Sequence, residues 1–491
     1  MELITVLVLG VLFFSLLWLK VMRPKNFPPG PPALPVLGNI LQINLTNPLK
    51  DIRKLSKVYG PVYSIYLGFM PVVVIQGLKN LKEVLVNKGV EFANRPYNRL
   101  LEEMSGTKGL ISARYGQSWK EHRCFTLSTL RNFGLGKKSM EERIREESGY
   151  LIQRFRKNKD EILDPRVIID NAVSNIISFM VFGRRYEYDD PTFRSILNIV
   201  HENMKMAGGF WAQLYNAFGF IKYLPLPHQK IFKNSNIVFD FIRKVLEEHR
   251  VTRVPGDPRD YIDCYLEELD KNRKDGHNST FDDENLLICV ADLFFAGTAS
   301  TSATLEWSLL YMMAFPDIQE KCRKEIDDIR GDRGHVTYED RVRMPYTQAV
   351  LQEVQRFASV SPFAFAHSPL NDSQLNGYTI PKGTFIIPDL SALHCDESQW
   401  KYPHEFNPEN FLNKDGELMK VEAFLPFSAG PRVCLGENLA RMEIFLFFTT
   451  MLTHFEFHWP DPKSLPDFTP IFGLIQVPKC FKMRLVPRAL N

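Results

Sequence analysis

Pro426-Phe-Ser-Ala-Gly-Pro-Arg-Val-Cys-Leu-Gly436 decides how the rest of this 491-residue chain is read. Cys434 stands just before an apolar stretch with helical spacing from Glu437 to Phe455. Gly430 and Gly436 permit tight turns around a bound group, Arg432 supplies a cation for an acidic one, and Phe427 can shield a sulfur. A helix N-terminus also stabilises a thiolate. Together these points mark Cys434 as a metal ligand, while Cys124, Cys264, Cys289, Cys322, Cys395 and Cys480 are read as small packing residues.

Composition narrows the setting of that cysteine. Sixty Lys and Arg against 57 Asp and Glu leave a net charge of +3, which argues against nucleic acid as a main partner. With 45% apolar and 24% charged residues, the chain is neither disordered, collagen-like nor polytopic in the membrane. Seven scattered cysteines without a C-x-x-C pair exclude a disulfide scaffold and a zinc ribbon.

The N-terminus predicts attachment to a bilayer. Leu3 to Leu19 carry no charge, and counting out to Met22 gives about the 20 residues of a membrane helix. Lys20, Arg23 and Lys25 follow and only Glu2 precedes, which puts the remaining chain in the cytosol. A cleaved signal peptide is the rival, but the start lacks a positive side chain and no A-x-A site follows. Phe27-Pro-Pro-Gly-Pro-Pro32 then makes a stiff extended spacer. The expected organisation is an anchor over 1–22, a Pro-rich hinge over 23–35 and one folded unit over 36–491, since no 20- to 50-residue repeat or low-complexity linker divides the body.

Helical periodicity dominates that body. It predicts helices over 140–155, 167–182, 236–250, 283–315, 347–357 and 437–455. Short strands are expected over 62–66, 72–75, 384–387 and 482–486, with a hairpin over Gly377 to Thr384. The expected class is mostly α with small β-sheets.

With these residues in place, the sequence resembles the cytochrome P450 superfamily. Its haem-binding signature F-x-x-G-x-R-x-C-x-G is matched by Phe427, Gly430, Arg432, Cys434 and Gly436. Glu353-Val-Gln-Arg356 matches its E-x-x-R helix, Trp119-Lys-Glu-His-Arg123 its W-x-x-x-R helix, and Phe406-Asn-Pro-Glu-Asn-Phe411 its F-x-P-E-R-F meander, with Asn410 in place of the arginine. The anchor and hinge make it similar to microsomal members of vertebrate family two. The resemblance implies the P450 fold behind one N-terminal transmembrane helix, haem b as cofactor, and Cys434 as proximal iron ligand. It implies that Arg95, Trp119, Arg123, His367 and Arg432 meet the haem propionates, and that Glu353 and Arg356 form a structural ion pair.

The 283–315 helix holds Ala296-Gly-Thr-Ala-Ser-Thr301, where the family has the oxygen-binding groove A-G-x-[DE]-T-[TS]. Thr280 and Asp283 have capping-box spacing at its start. Ser300 and Thr301 keep hydroxyls, but Ala299 replaces the acid, and alanine can neither titrate nor donate in the carboxylate, hydroxyl and water relay that oxygen activation requires. Asp292 is two turns away, about 10 Å, too far for direct transfer, and is read as a pocket or packing residue. Three readings follow: a monooxygenase drawing NADPH electrons through a reductase, with a weakened relay; a haem-thiolate isomerase or peroxide-dependent enzyme acting on lipid hydroperoxides; and a haem-binding sensor or carrier without turnover.

By the family's layout, Phe210, Asp292, Phe294, Ala296, Phe363, Phe365 and Phe472 are expected to line an apolar substrate cavity for fatty acids, steroids or xenobiotics. Trp211, Phe218, Phe220 and Tyr223 suit a membrane interface. The expected partners are NADPH-cytochrome P450 reductase, docking near Arg131, Lys137 and Lys138, cytochrome b5, membrane lipid and a hydrophobic small molecule, at the endoplasmic reticulum membrane with the catalytic domain in the cytosol. Which substrate and which carbon are set by loops that the sequence does not place.

Overall fold

The computed structural model describes residues 4–6, 8–10, 18–134, 138–158, 161–275, 279–461, 463–464 and 466–489. Half of the anchor over 1–22 falls outside these residues, and so does Lys137. Three small sheets are described. β1 (Val62–Leu67) and β2 (Met70–Ile75) pair antiparallel, and β6 (Phe385–Pro388) joins β2 in parallel. β8 (Met483–Pro487) lies between β3 (Ile162–Leu163) and β7 (Phe455–His458), and β4 (Ser373–Leu375) pairs with β5 (Tyr378–Ile380).

Helices form the bulk of the molecule around one long core element, Asp283–Ala314, here called the central helix. Among the described residues it is the one helix long and apolar enough to cross a membrane, but it is mostly buried inside the protein. Its core face packs along Arg166–Phe182, and Pro345–Ala358 and Glu437–His454 pack against it as well. Leu305, Trp307, Leu309, Phe294 and Phe447 are fully buried in the core these helices share. The helix is capped by Asp282, whose Oδ1 accepts from the Asn285 N–H at 2.6 Å, rather than by a Thr280–Asp283 box.

The predicted hairpin over Gly377 to Thr384 is displaced. The tight turn falls at Asn376 and Gly377, both with positive φ, so it joins β4 to β5 and the chain after Pro381 crosses to the β1–β2 sheet as β6. The predicted 236–250 helix is the second half of a longer one, His228–Thr252.

Candidate active site

Cys434 is held by the turn that precedes Glu437–His454. Gly430 sits at φ +75 against the Leu85 carbonyl, where a Cβ would collide, so only glycine fits there. Gly436 does not share that constraint: its φ is −90 and its surroundings are open. The Cys434 N–H donates to the Phe427 carbonyl at 3.0 Å, and the Phe427 ring carries the Arg441 guanidinium 4.9 Å from its centroid. Burial pushes the Cys434 thiol up, while the Gly436 and Glu437 backbone N–H groups and the Arg123 charge favour the thiolate. The side chain is nevertheless exposed by area. A sulfur that is accessible yet surrounded by protein faces an interior cleft.

Three arginines crowd that cleft, and all are anchored on carbonyls. Arg95 donates to Ile111, Phe365 and Ala366 oxygens at 2.8, 3.1 and 2.8 Å. Arg432 donates to Ala93, Leu110 and Ala113 at 3.0, 3.4 and 2.7 Å, and Arg123 to Val433 at 2.6 Å. Trp119 lies under the Arg432 guanidinium at 4.0 Å and donates its Nε1–H to Leu110 at 3.1 Å. Among the described residues none of these three guanidiniums forms a salt bridge. Burial pushes Arg432 down to about 8 and Arg95 down to about 10, and repulsion between neighbouring arginines adds to both. His367, bonded through Nδ1 to the Phe92 carbonyl at 2.9 Å, is pushed down to about 3 by burial and then by Arg95. So many cations without an anion are unfavourable alone, and a dianionic group beside them restores balance. This donor set, with a cysteine thiolate beyond it, fits haem and its two propionates.

The central helix supplies the other side. Arg95 couples electrostatically to Asp292, and Asp292 shares a helix face with Ala296 and Ser300 at four-residue steps. Ala296 is exposed and Ser300 partly so on a helix that is otherwise mostly buried, so this face opens inward on the cleft. The Ser300 hydroxyl donates back to the Ala296 carbonyl at 2.9 Å. Thr301, expected beside it, is turned into the core, and so is Ala299.

Asp292 is a clamp. Its Oδ2 accepts from the Leu110 and Ile111 N–H groups at 2.7 and 3.0 Å, and a Cβ at Gly109 would lie 2.5 Å from it. Burial raises its carboxyl to about 6, and those two bonds and Arg95 oppose the rise. Phe294 does not line the cleft: it is fully buried, with its ring 5.4 Å from Phe182 and 6.2 Å from Phe193, because two residues along a helix turn a side chain to the far face. Phe363 and Phe472, distant in sequence, meet edge to face at 6.2 Å. Leu474 N–H donates to Met204 O and Gln476 N–H to Val360 O, which brings the segments around Met204, Val360 and Leu474 together. Phe365 stacks on Arg95 at 5.5 Å, and both border a solvent-open cleft shared with Glu102 and Arg114. Phe210 is exposed beside Trp211.

Glu353 and Arg356 are wholly buried and bidentate, at 2.7 Å on each limb. Arg356 also donates to the His394, Tyr402, Pro403 and Glu405 carbonyls. Asn410, where the motif has arginine, still donates to Glu353 at 3.2 Å and ties Tyr402 on both sides. Sequence reasoning missed Glu306, a buried acid on the central helix, and the backbone groups that Asp292 holds; an acid within an apolar run was the available signal.

The cytochrome P450 family model matches residues 28–485. The chain is 41% identical to Cytochrome P450 2C23 of Rattus norvegicus over 98% of each chain. It is 42% identical to Cytochrome P450 2J5 of Mus musculus over 98% of this chain and 96% of that one, and 44% identical to Cytochrome P450 2J2 of Homo sapiens over 94% and 91%. Likeness that runs from the hinge to the last strand, at identities well above those where only a fold is shared, means that this chain belongs to the cytochrome P450 family and is one of its monooxygenases, a haem-binding oxidoreductase that takes electrons from a redox partner.

Proposed function

We propose that the chain is a membrane-bound monooxygenase that inserts one atom of O2 into apolar substrates, fatty acids, steroids or xenobiotics, with NADPH electrons delivered by NADPH-cytochrome P450 reductase and cytochrome b5 as a second donor. The observation that carries this reading is the Arg95, Arg123 and Arg432 cluster, one buried and two half-buried cations that form no salt bridge among the described residues, beside an inward-facing cysteine. Haem b, bound there, supplies oxygen activation. Cys434 is its ligand, and the Gly436 and Glu437 N–H groups with Arg123 stabilise the thiolate form. Arg95, Trp119, Arg123, Arg432 and His367 orient it through the propionates, with His367 held neutral by burial and then by Arg95. Phe427 and Gly436 flank the sulfur. Ala296 and Ser300 shape the oxygen side, and Phe363, Phe365, Phe472 and Phe210 present apolar surface to substrate. Asp292 orders the 108–111 loop against the central helix.

Membrane attachment through residues 1–22 and the 23–35 hinge gains support from the surface. Phe220, Tyr223 and Leu224 are exposed, and Gly68 and Phe69, with Lys20 over the Phe69 ring, lie where Ala217 and Phe218 approach. This apolar side suits the endoplasmic reticulum membrane with the 36–491 body in the cytosol. Arg131 and Lys138 are exposed and available to the reductase.

A second reading, isomerisation of a lipid hydroperoxide without reductase, is favoured by one observation: Ala299 puts a buried methyl where the family carries an acid. Purified holoenzyme assayed on a fatty-acid and steroid panel decides. Oxygenated product that requires reductase and NADPH supports monooxygenation; turnover of a hydroperoxide alone overturns it.

A further inference from the structure

The short helix Arg99–Ser105 forms a wall with two faces. Asn98, Leu101, Glu102 and Ser105, at steps of three and four, line the solvent-open cleft that Arg95 and Phe365 also border. Two contacts tie this face to the far side: Arg114 pairs with Glu102 at 2.7 Å, and the Ser105 and Ser112 hydroxyls share a hydrogen bond at 2.8 Å. Arg99, Leu100 and Glu103 turn the other way, onto the helical segments Phe210–Ala217 and Gly219–Tyr223. The Leu100 N–H donates to Asn216 Oδ1 at 3.0 Å, and a Cβ at Gly219 would lie 2.9 Å from the Arg99 guanidinium carbon.

Glu103 is the ionic centre of this seam. Its Oε2 accepts from the Tyr215 hydroxyl at 2.7 Å and meets Lys222 Nζ at 3.1 Å. Burial raises the Glu103 carboxyl, but the bonds from Tyr215 and Lys222 outweigh it and hold the group below its ordinary value, so it is charged. Closure is not fully satisfied. Arg99 Nε and His228 Nδ1 are buried beside the seam without a hydrogen-bond partner among the described residues, although the His228 ring stacks on Tyr215 at 4.8 Å. Polar atoms left in this way raise the cost of the closed arrangement.

Lys222 also faces outward. Its side chain is 51% exposed, and it stands between the exposed Phe220 and the exposed Tyr223 and Leu224. Between Asn203 and Phe239 the sequence holds Lys205, Lys222, Lys230 and Lys233, all exposed, and no Asp or Glu. Lys230 has Glu202 as its partner from just outside that stretch, and Lys222 has Glu103. Exposed rings among cations, with no acid between them, complement a negatively charged lipid surface better than a neutral one.

We propose that Lys222 is a headgroup site for anionic phospholipid, and that a membrane carrying such lipid takes Lys222 from Glu103 and so loosens the Arg99–Ser105 wall of the cleft. The inference rests on the membrane attachment proposed above. One ionic partner replaces another while Tyr215 and Asn216 keep their bonds, so the wall loosens without unfolding. An exposed ion pair contributes little, which sets the expected rise in the open population at about threefold.

Hydrogen exchange of the 97–106 amides in the full-length holoenzyme tests this, in vesicles of phosphatidylcholine alone and of about two parts phosphatidylcholine to one of phosphatidylserine. Wild type should exchange about threefold faster in the anionic vesicles. Lys222→Gln should exchange at that faster rate in both, and so should Glu103→Gln, in which Tyr215 keeps an acceptor. Equal wild-type rates in the two vesicles overturn the inference and leave membrane attachment standing. A Lys222→Gln variant that responds to phosphatidylserine as wild type does also overturns it, as does an equal rise in the 166–182 amides, which would mean that lipid loosens the whole fold. Wild type that sediments with neither vesicle overturns the membrane reading and this inference with it.

Discussion

Two groups of interior-facing arginines in this molecule have opposite chemistry. Arg356 has a carboxylate: Glu353 meets it on two limbs, and four carbonyls take up its other donors. Arg95, Arg123 and Arg432 donate to carbonyls too, yet none forms a salt bridge among the described residues, Asp292 reaches Arg95 only as a charge through space, and Arg95 and Arg432 are depressed by their arginine neighbours. Charge balance separates a brace from a binding site. A neutral pair supports the fold, while an unbalanced cluster is built for an anion from outside.

The sharpest way to break this distinction is to unbalance the brace. Glu353→Gln leaves Arg356 buried without its charge partner and should cost about 3–5 kcal/mol in denaturant unfolding; a loss below about 1 kcal/mol would mean the pair is no brace. On the other side, Arg123→Gln should weaken haem retention about tenfold to a hundredfold, a loss of about 1.5–3 kcal/mol for a charge-assisted bond. Haem transfer to an acceptor protein measures it, and the haem-free protein should unfold almost as wild type does. If haem-free stability falls as far as haem retention, Arg123 belongs with the brace.

A smaller effect is expected at Asn410. Glu353 keeps Arg356 and the Asn407 N–H when Asn410→Ala removes one donor, so about 1 kcal/mol is expected in the same unfolding assay. The smallest concerns another buried pair, His249 and Asp260 at 2.7 Å. Burial alone would lower His249, but the hydrogen bond and charge of Asp260 outweigh it and raise its pKa. A raised histidine contributes stability that is complete below its unfolded value near 6.5 and lost as pH rises through the folded value. Wild type should therefore lose stability relative to His249→Gln as pH rises above about 6.5; parallel profiles would mean that the pair does not change charge on folding.

The sequence alone pointed to the helical class, to Cys434 as the candidate ligand and to the Glu353–Arg356 brace through short local patterns, and to the cations of the cleft through a family resemblance. Periodicity also located the central helix to within a residue at its C-terminal end. Tertiary structure decided what periodicity cannot. Phe294 and Thr301 turn into the core while Ala296 and Ser300 face the cleft, since the choice between helix faces depends on which neighbours pack there. Asp292 became a loop clamp only when Leu110 and Ile111 were brought to it from far along the chain. The unpartnered hydroxyls of Ser174, Ser178, Thr298 and Ser302 are unremarkable in a linear sequence. They stand out only in the packed molecule, where two helices more than a hundred residues apart bury them against each other without a partner among the described residues, a relation that no local spacing contains.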